Sequence, residues 1–188
     1  MGLVGMEEGH ERESVLIISI VGPESSGKTS LAEALALHYE APWLPEYARE
    51  YLDGRPDYVE RDLEEIAREQ VRREQRIIEE NPRLVILDTD LVVIAIWWRE
   101  VFGHVPDWVS GHLRNQDPRF YLLLRPDLPW EADPLRVSPH DRDRLFGLYQ
   151  ELVRKEDFPV AEISERGEAR MEMALSALAE AGAGAAGD

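Results

Sequence analysis

Residues 22–29 are the part of the chain whose residue types and spacing best suit phosphate binding. They read GPESSGKT and fit the pattern G-x-x-x-x-G-K-[ST] in full. The glycines allow a turn in which successive backbone N–H groups point inward, and the following helix presents its positive end there. Lys28 is expected to reach the β- and γ-phosphates of a nucleoside triphosphate, and Thr29 to offer its hydroxyl to Mg²⁺. The predicted nucleotide-binding residues are Gly22, Glu24, Ser25, Ser26, Gly27, Lys28, Thr29 and Ser30.

A phosphate-binding loop leaves three classes of protein open. A regulatory GTPase needs an Asn/Thr-Lys-x-Asp motif, which is absent because Lys28 and Lys155 are the only lysines. A mechanical or nucleic-acid ATPase usually has Asp-Glu at a strand end, where this chain has DTD (residues 88–90). Its formal net charge of −17 also argues against a partner bound through clustered Lys and Arg. A small-molecule kinase needs an acceptor site, a carboxylate near the acceptor hydroxyl and a closing segment with arginines, and the chain has candidates for each.

Glu46 is the candidate for the carboxylate that accepts the proton of the acceptor hydroxyl. It lies in PEYARE (residues 45–50), just after a short apolar piece that is predicted to be a strand. This places it at the carboxyl edge of a parallel sheet, where ligands bind. Arg49, one helical turn further on, is a candidate clamp for substrate or phosphate. The alternative for both residues is an exposed charge at the start of a helix.

Asp88 and Asp90 follow the apolar run LVIL (residues 84–87). Asp88 has the position of the acid that holds Mg²⁺, directly or through water, together with Thr29. Its alternative role is to cap the next helix. Asp90 could bind acceptor hydroxyls or cap that helix, and the sequence favours neither role.

Residues 127–144 are rich in Pro, Asp and Arg and are predicted to form a lid that closes over the triphosphate. Arg136 and Arg142 are candidates to stabilise charge on the transferring phosphoryl group, and Arg144 to contact the nucleotide. Closure would exclude water and favour transfer over hydrolysis. The alternative is a solvated loop with balancing Asp–Arg pairs.

Aromatic residues occur near the same segments, and a flat or cationic ring could stack on one of them. They are Trp43, Tyr47, Trp97, Trp98, Trp108 and Trp130. For each residue taken singly, packing in the core is the favoured alternative.

The elements that must position these residues alternate between strands and helices. Strands are predicted at residues 15–21, 43–44, 84–87, 120–124 and 159–163, and helices at 28–39, from Asp62 to about 80, and at 91–101, 142–155 and 168–181. The apolar stripe of the helix from Asp62 is interrupted by Gln70 and Glu74. Strands that are apolar throughout are buried on both faces. The predicted fold is therefore α/β, a P-loop NTPase with a doubly wound, parallel five-stranded sheet flanked by helices and a lid.

The length of 188 residues suits one domain, predicted over residues 14–181, with a disordered tail before it and a flexible tail over residues 182–188. The absence of cysteine excludes disulfides and thiolate metal sites. No apolar run approaches the length of a membrane span. We expect a cytoplasmic chain with no nucleic-acid or membrane partner, and the sequence leaves homo-oligomerisation open.

Taken together, these blocks resemble the ribosylnicotinamide kinase domain of the bacterial NAD-biosynthesis regulator family. The matching segments are GPESSGKTSLAEALA, PEYAREYL, LVILDTDLVVIAIW, YLLLRPDLPWEADPLR and HDRDRLF, which cover about residues 14–175. The resemblance implies phosphoryl transfer from ATP, with Mg²⁺, to the 5′-hydroxyl of nicotinamide riboside, giving nicotinamide mononucleotide. It also implies that Glu46, Arg49, Asp88 and Asp90 line the active site. An aromatic near PEYARE would stack on the nicotinamide, with Trp43 and Tyr47 as candidates.

Two alternatives stay open at this point. One is a kinase for a different nucleoside or nucleotide. The other is a nucleotide-binding regulatory module that hydrolyses ATP slowly or not at all, although such a module would not need PEYARE and DTD. The H-x-G-H signature of adenylyltransferases, which accompany the kinase domain in full-length regulators, is absent from the sequence, and no repressor role is expected.

Overall fold

Five parallel strands form one sheet in the order β2-β3-β1-β4-β5. The computed structural model describes residues 14–55, 57–131 and 140–182. The strands are β1 (Leu16–Val21), β2 (Trp43–Leu44), β3 (Leu84–Asp88), β4 (Arg119–Leu124) and β5 (Val160–Ile163). The helices are α1 (Lys28–His38), α2 (Tyr47–Tyr51), α3 (Glu60–Glu79), α4 (Leu91–Phe102), α5 (Asp107–Asn115), α6 (Arg142–Lys155) and α7 (Gly167–Glu180). The predicted α/β fold with a parallel five-stranded sheet is confirmed.

The central strands are mostly apolar because both faces of the sheet are covered. Every residue of β3 is buried, and so are five of the six residues of β1. One face packs against α1 and α7 around Leu35, Ala174 and Leu178. The other face packs against a larger cluster that includes residues of α3, α4, α5 and α6. Burial on both faces selects continuous β-branched and leucine runs over an alternating pattern.

Strand register brings the segments that carry the candidate site residues to one edge of the sheet. Ile20 of β1 is in register with Asp88 at the end of β3. The loop after β1 therefore starts beside Asp88, and β2 delivers the segment beginning at Pro45 to the same edge. This edge is the carboxyl end of the strands, where parallel α/β sheets bind their ligands.

Several element boundaries differ from the sequence-based expectation. Helix α3 begins at Glu60, before Asp62, and Asp62 is instead its third residue. There the Asp62 carboxylate accepts a hydrogen bond of 2.8 Å from the backbone N–H of Val59, which satisfies a donor at the helix start. Helices α2 and α5 were not predicted, since they are short.

The predicted tail over residues 1–13, most of the tail over 182–188 and the middle of the predicted lid, residues 132–139, lie outside the described residues. Within the described ranges, no helix combines the length and the apolar character needed to cross a membrane.

Candidate active site

The loop between β1 and α1 requires glycine at both ends of its motif. Gly22 has φ +143°, and a Cβ at this position would lie 2.7 Å from the carbonyl oxygen of Leu124. Gly27 has φ +83°, and its Cβ would lie 2.8 Å from Leu128. A side chain at Gly22 would meet a strained backbone and a clash with a backbone carbonyl, whereas a side chain at Gly27 would meet a strained backbone and the end of the Leu128 side chain. The two glycines thus allow the loop to pass close to β4 and to the segment that follows it.

Arg170, which was not predicted from the sequence, also stabilises the loop. Arg170 of α7 is 4% exposed, and its guanidinium donates to the backbone carbonyl of Ser26 and to the carboxylate of Asp127. It also donates to the carbonyl of Glu165, at 2.7 Å. No local motif marks Arg170, since only the fold brings α7 under the loop.

The Lys28 ammonium lies across the mouth of the loop. Its Nζ donates to the carbonyl of Gly22, at 2.9 Å, and to that of Pro23, at 3.1 Å. These bonds hold the ammonium beside the amides that are predicted to face phosphate. A bound triphosphate would offer the ammonium charged oxygens, which accept stronger hydrogen bonds than carbonyls do.

Thr29 and Asp88 form the candidate metal pair. The Thr29 hydroxyl lies close to the Asp88 carboxylate, which is 1% exposed at the end of β3. Burial raises the pKa of Asp88, and the nearby Thr29 hydroxyl and the charge of Lys28 oppose this rise in part. Asp88 Oδ1 is buried without a hydrogen-bond partner in the described structure. A buried carboxylate oxygen without a partner, beside a hydroxyl, fits a hard cation such as Mg²⁺.

Among the described residues, no group of three or more His, Cys, Asp or Glu side chains could hold a metal ion by itself. This does not conflict with Mg²⁺ at Thr29 and Asp88, because Mg²⁺ is usually bound through one or two protein groups together with phosphates and water.

A cleft of about 360 Å³ opens from the loop and runs between α4, α6 and the start of α2. Its volume falls in the range of small-molecule sites. Along the loop it is lined by all nine residues from Gly22 to Ser30. Beyond the loop it is lined by Glu46, Arg49, Tyr58, Val93, Ile96, Trp97, Glu100, Val101, Leu128, Pro129, Glu131, Leu145 and Tyr149.

Glu46 and Arg49 face the same cleft as the phosphate-binding loop. Their side chains form an ion pair of 3.2 Å, from Arg49 Nε to Glu46 Oε2, with the Glu46 side chain 19% exposed. Arg49 also lies close enough to Asp88 to lower its pKa. Tyr149 of α6 lines the cleft as well, and burial, followed by the Glu46 charge, raises the pKa of its phenol. The Tyr149 hydroxyl therefore stays protonated and can donate.

The aromatic wall of the cleft is built by Tyr58 and Trp97. Trp97 Nε1 donates to the Tyr58 hydroxyl at 2.8 Å, and the two rings meet edge to face with centroids 5.2 Å apart. Trp43 instead packs against the cluster on the α1 and α7 face. Tyr47 packs against Tyr51 and lies under the guanidinium of Arg73, outside the cleft lining. The structure does not bring Trp43 and Tyr47 to the cleft.

The predicted lid arginines occupy different places. Arg142, the first residue of α6, donates to the carbonyl of Leu128 at 2.8 Å and to that of Ser25 at 3.5 Å, so it ties the described start of the lid to the loop. Arg144 pairs with Glu100, which lines the cleft, through a bond of 3.1 Å and is itself exposed. Arg136 lies outside the described residues.

Asp90 takes a structural position at the start of α4. It is fully buried and accepts a hydrogen bond of 2.9 Å from Val92 N–H, which caps the helix. Its second oxygen lies 3.6 Å from Arg119. Asp90 does not line the cleft, so of the two roles that the sequence allowed, the structure shows the helix cap.

The chain belongs to the family described as the AAA domain, whose model matches residues 17–170. The curated relatives include the trifunctional NAD biosynthesis/regulator protein NadR of Salmonella typhimurium and of Escherichia coli. Each is 25% identical over 158 residues, which is 80% of this chain and 38% of the relative. The chain thus matches well under half the length of these relatives. They confirm the sequence resemblance to the NAD-biosynthesis regulator.

Solved structures share the fold. A NadR protein in complex with NAD and AMP-PNP matches with a TM-score of 0.65 at 19% identity, over 90% of this chain and 50% of that one. The NadR protein in complex with NR gives the same TM-score and identity, over 90% and 51%. A deoxyadenosine kinase from M. mycoides with bound dCTP matches with a TM-score of 0.60 at 13% identity, over 88% of this chain and 100% of that one. At these identities the likeness establishes the P-loop fold.

Proposed function

We propose that this member of the AAA domain family is an ATP- and Mg²⁺-dependent nucleoside kinase. Its proposed acceptor is nicotinamide riboside, whose 5′-hydroxyl is phosphorylated to give nicotinamide mononucleotide. The observation that carries the proposal is that one cleft is lined by the phosphate-binding loop, by Glu46 with Arg49, and by an apolar and aromatic wall. A protein that only binds ATP needs the first of these features, whereas a kinase for a nucleoside needs all three.

In the proposed reaction, the amides of the loop and Lys28 hold the triphosphate, and Thr29 and Asp88 would hold Mg²⁺. When bound there, Mg²⁺ would supply positive charge that offsets the charge of the phosphates. Glu46 accepts the proton of the acceptor hydroxyl, while Arg49 keeps its carboxylate oriented through their ion pair. Arg142, whose guanidinium bonds to the Ser25 carbonyl of the loop, is the proposed source of the positive charge that offsets that of the transferring phosphoryl group.

Two observations support a riboside with a cationic ring as the acceptor. The cleft is lined by the carboxylates of Glu24, Glu46, Glu100 and Glu131 and by the cations of Lys28 and Arg49, so acidic side chains outnumber basic ones there. The wall of Tyr58 and Trp97 offers a surface on which a cationic ring can stack. The relatives named for NAD biosynthesis support the same choice. Use of ATP would place the reaction in the cytoplasm.

A panel of ribosides with ATP and Mg²⁺, read out by product mass, tests the acceptor. We expect a monophosphate from nicotinamide riboside, with a kcat/KM at least about tenfold above those of uridine and cytidine, which corresponds to about 1.4 kcal/mol. Faster turnover of uridine or cytidine would assign a different nucleoside kinase. ATP hydrolysis without a phosphorylated riboside, or ATP binding without turnover, would instead favour a regulatory module.

A further inference from the structure

The apolar stripe of α3 is broken at two buried polar residues, Gln70 and Glu74, that lie one turn apart. Their relative exposures are 2% and 6%, so neither is a solvated surface residue. Burying a polar side chain costs free energy unless its hydrogen bonds are satisfied. Their positions in the interior therefore raise the question of what they bind.

Gln70 bridges the two segments that carry the proposed catalytic acids. Its Oε1 accepts from the backbone N–H of Tyr47 at 3.0 Å, next to Glu46 in sequence. Its Nε2 donates to the carbonyl of Thr89 at 3.2 Å, next to Asp88. One amide side chain thus joins the start of α2 to the end of β3.

The turn at Thr89 needs such support. Thr89 has φ +81°, a conformation that costs a β-branched residue free energy. Its carbonyl accepts the buried Gln70 bond, while Asp90, the next residue, pairs with Arg119. Arg119 in turn donates a hydrogen bond of 2.7 Å to Glu74, so Glu74 supports Asp90 through Arg119. The two polar residues of α3 thus hold the same strained turn from two sides.

We propose that Gln70 is a positioning residue whose amide fixes the separation of Glu46 and Asp88, and so aligns the acceptor base with the metal site. The catalytic effect of Gln70 rests on the proposed function. Its two hydrogen bonds, to Tyr47 and Thr89, which we call the clamp, are present in the chain without ligands. Gln70 does not line the cleft, so its effect is transmitted through Tyr47 and Thr89.

Gln70→Met removes both hydrogen bonds and keeps a long unbranched side chain on the buried face of α3. In the full chain without ligands, we expect faster amide hydrogen exchange in residues 46–51 and 88–92, with exchange in β1 unchanged. With ATP, Mg²⁺ and nicotinamide riboside, we expect kcat to fall by about 10- to 100-fold, because a small misplacement of reacting groups has effects of this size. Affinity for an ATP analogue should stay within about twofold, since the loop is not touched by Gln70.

Two further variants sharpen the test. Gln70→Glu keeps an oxygen that accepts from Tyr47 but turns its other oxygen toward the Thr89 carbonyl, so residues 46–51 should stay protected while residues 88–92 exchange faster. Gln75→Met makes the same substitution at an exposed position of α3 and should leave both the amide hydrogen exchange and kcat unchanged.

Unchanged exchange in both segments of Gln70→Met would overturn the clamp, whether or not the chain is a kinase. Faster exchange with full turnover would overturn the positioning role, and an equal loss of turnover and of ATP-analogue binding would do the same. If the wild-type chain phosphorylates no nucleoside, the proposed function fails, and the exchange result still decides whether Gln70 clamps the two segments.

Discussion

Glu46 is the residue on which the proposed chemistry depends most. Its side chain is largely buried and forms an ion pair with Arg49. Although Glu46 is distant from the phosphate-binding loop in the sequence, the two line the same cleft. Glu46→Gln should lower kcat by about 10²- to 10⁴-fold, because a general base typically contributes this much. Affinity for an ATP analogue should be nearly unchanged. The matched control is Glu79→Gln, at an exposed position near the end of α3. A Glu46→Gln enzyme with near-normal kcat would remove Glu46 from the mechanism.

Asp88 should show opposite effects on stability and activity. Its pKa is raised in the folded chain by burial, so the folded state holds this proton more tightly than the unfolded state does. Asp88 therefore costs stability as pH rises from the ordinary range of an aspartate through its raised pKa, and the cost is present in full above that pKa. Asp88→Asn should raise Tm at neutral pH and lower Mg²⁺-dependent kcat by about 100-fold or more, given the several kcal/mol that a catalytic metal supplies. A lower Tm together with retained activity would contradict both parts.

The acidic limb of the pH–rate profile follows from the same pKa. In the proposed mechanism the ionised carboxylate holds Mg²⁺, so activity should be lost as pH falls through the raised pKa of Asp88, at a higher pH than an ordinary aspartate would give. Raising the Mg²⁺ concentration should move this limb to lower pH, because the metal competes with the proton. A limb that does not respond to Mg²⁺ would assign the titration to another group.

At the scale of elements, the loop between β1 and α1 is fixed by backbone conformation more than by side chains. Gly22→Ala would place a Cβ 2.7 Å from the Leu124 carbonyl at φ +143°, so we expect a destabilised chain with no measurable binding of ATP. Gly147→Ala provides the control. Gly147 lies within α6 with no other atoms near its Cβ position, and this exchange should stabilise the chain by about 0.5–1 kcal/mol. Thermal unfolding and titration with an ATP analogue measure both, and normal binding by Gly22→Ala would refute the expected geometry.

The sequence was most informative where one element has one strong pattern. Continuous apolar runs predicted the strands to within about a residue, and the sheet follows from their alternation with helices. The start of α3 was placed wrongly because Asp62 can satisfy a helix N-terminus either as its cap or, as observed, from the third position. Helix α2 has five residues, and a helix this short has too little periodicity to be recognised without its tertiary contacts.

At the scale of the whole molecule, the acceptor side of the cleft is assembled from segments far apart in the chain. Proximity in sequence favoured Trp43 and Tyr47 among six aromatic candidates. The wall of the cleft instead consists of Trp97 of α4, which was one of the six, and Tyr58, from before α3, which was not. The bridging roles of Gln70 and Arg170 were not predicted for the same reason. Each side chain bonds to a segment that lies 19 or more residues away in the sequence. Motifs predicted the phosphate-binding loop, whereas the fold was needed to identify the rest of the cleft that we propose for the acceptor.

Two tryptophan substitutions distinguish a residue that stacks on the substrate from a residue that packs in the core. Trp97→Leu should raise KM for nicotinamide riboside by about tenfold and leave KM for ATP unchanged, since stacking of a base contributes about 1–3 kcal/mol. Trp43→Leu should lower Tm through lost packing against the α1 and α7 cluster and leave KM for the riboside unchanged. The reverse pattern would return the stacking role to Trp43.

The most direct test of the central claim is the stoichiometry of the two products. With ATP, Mg²⁺ and limiting nicotinamide riboside, quantitative mass spectrometry should find ADP and nicotinamide mononucleotide in a ratio of 1:1, with the initial rates of formation of both at least about 100-fold lower for Glu46→Gln. ADP formed in large excess over the mononucleotide, or in its absence, would contradict the account, because the cleft would then pass the phosphoryl group to water.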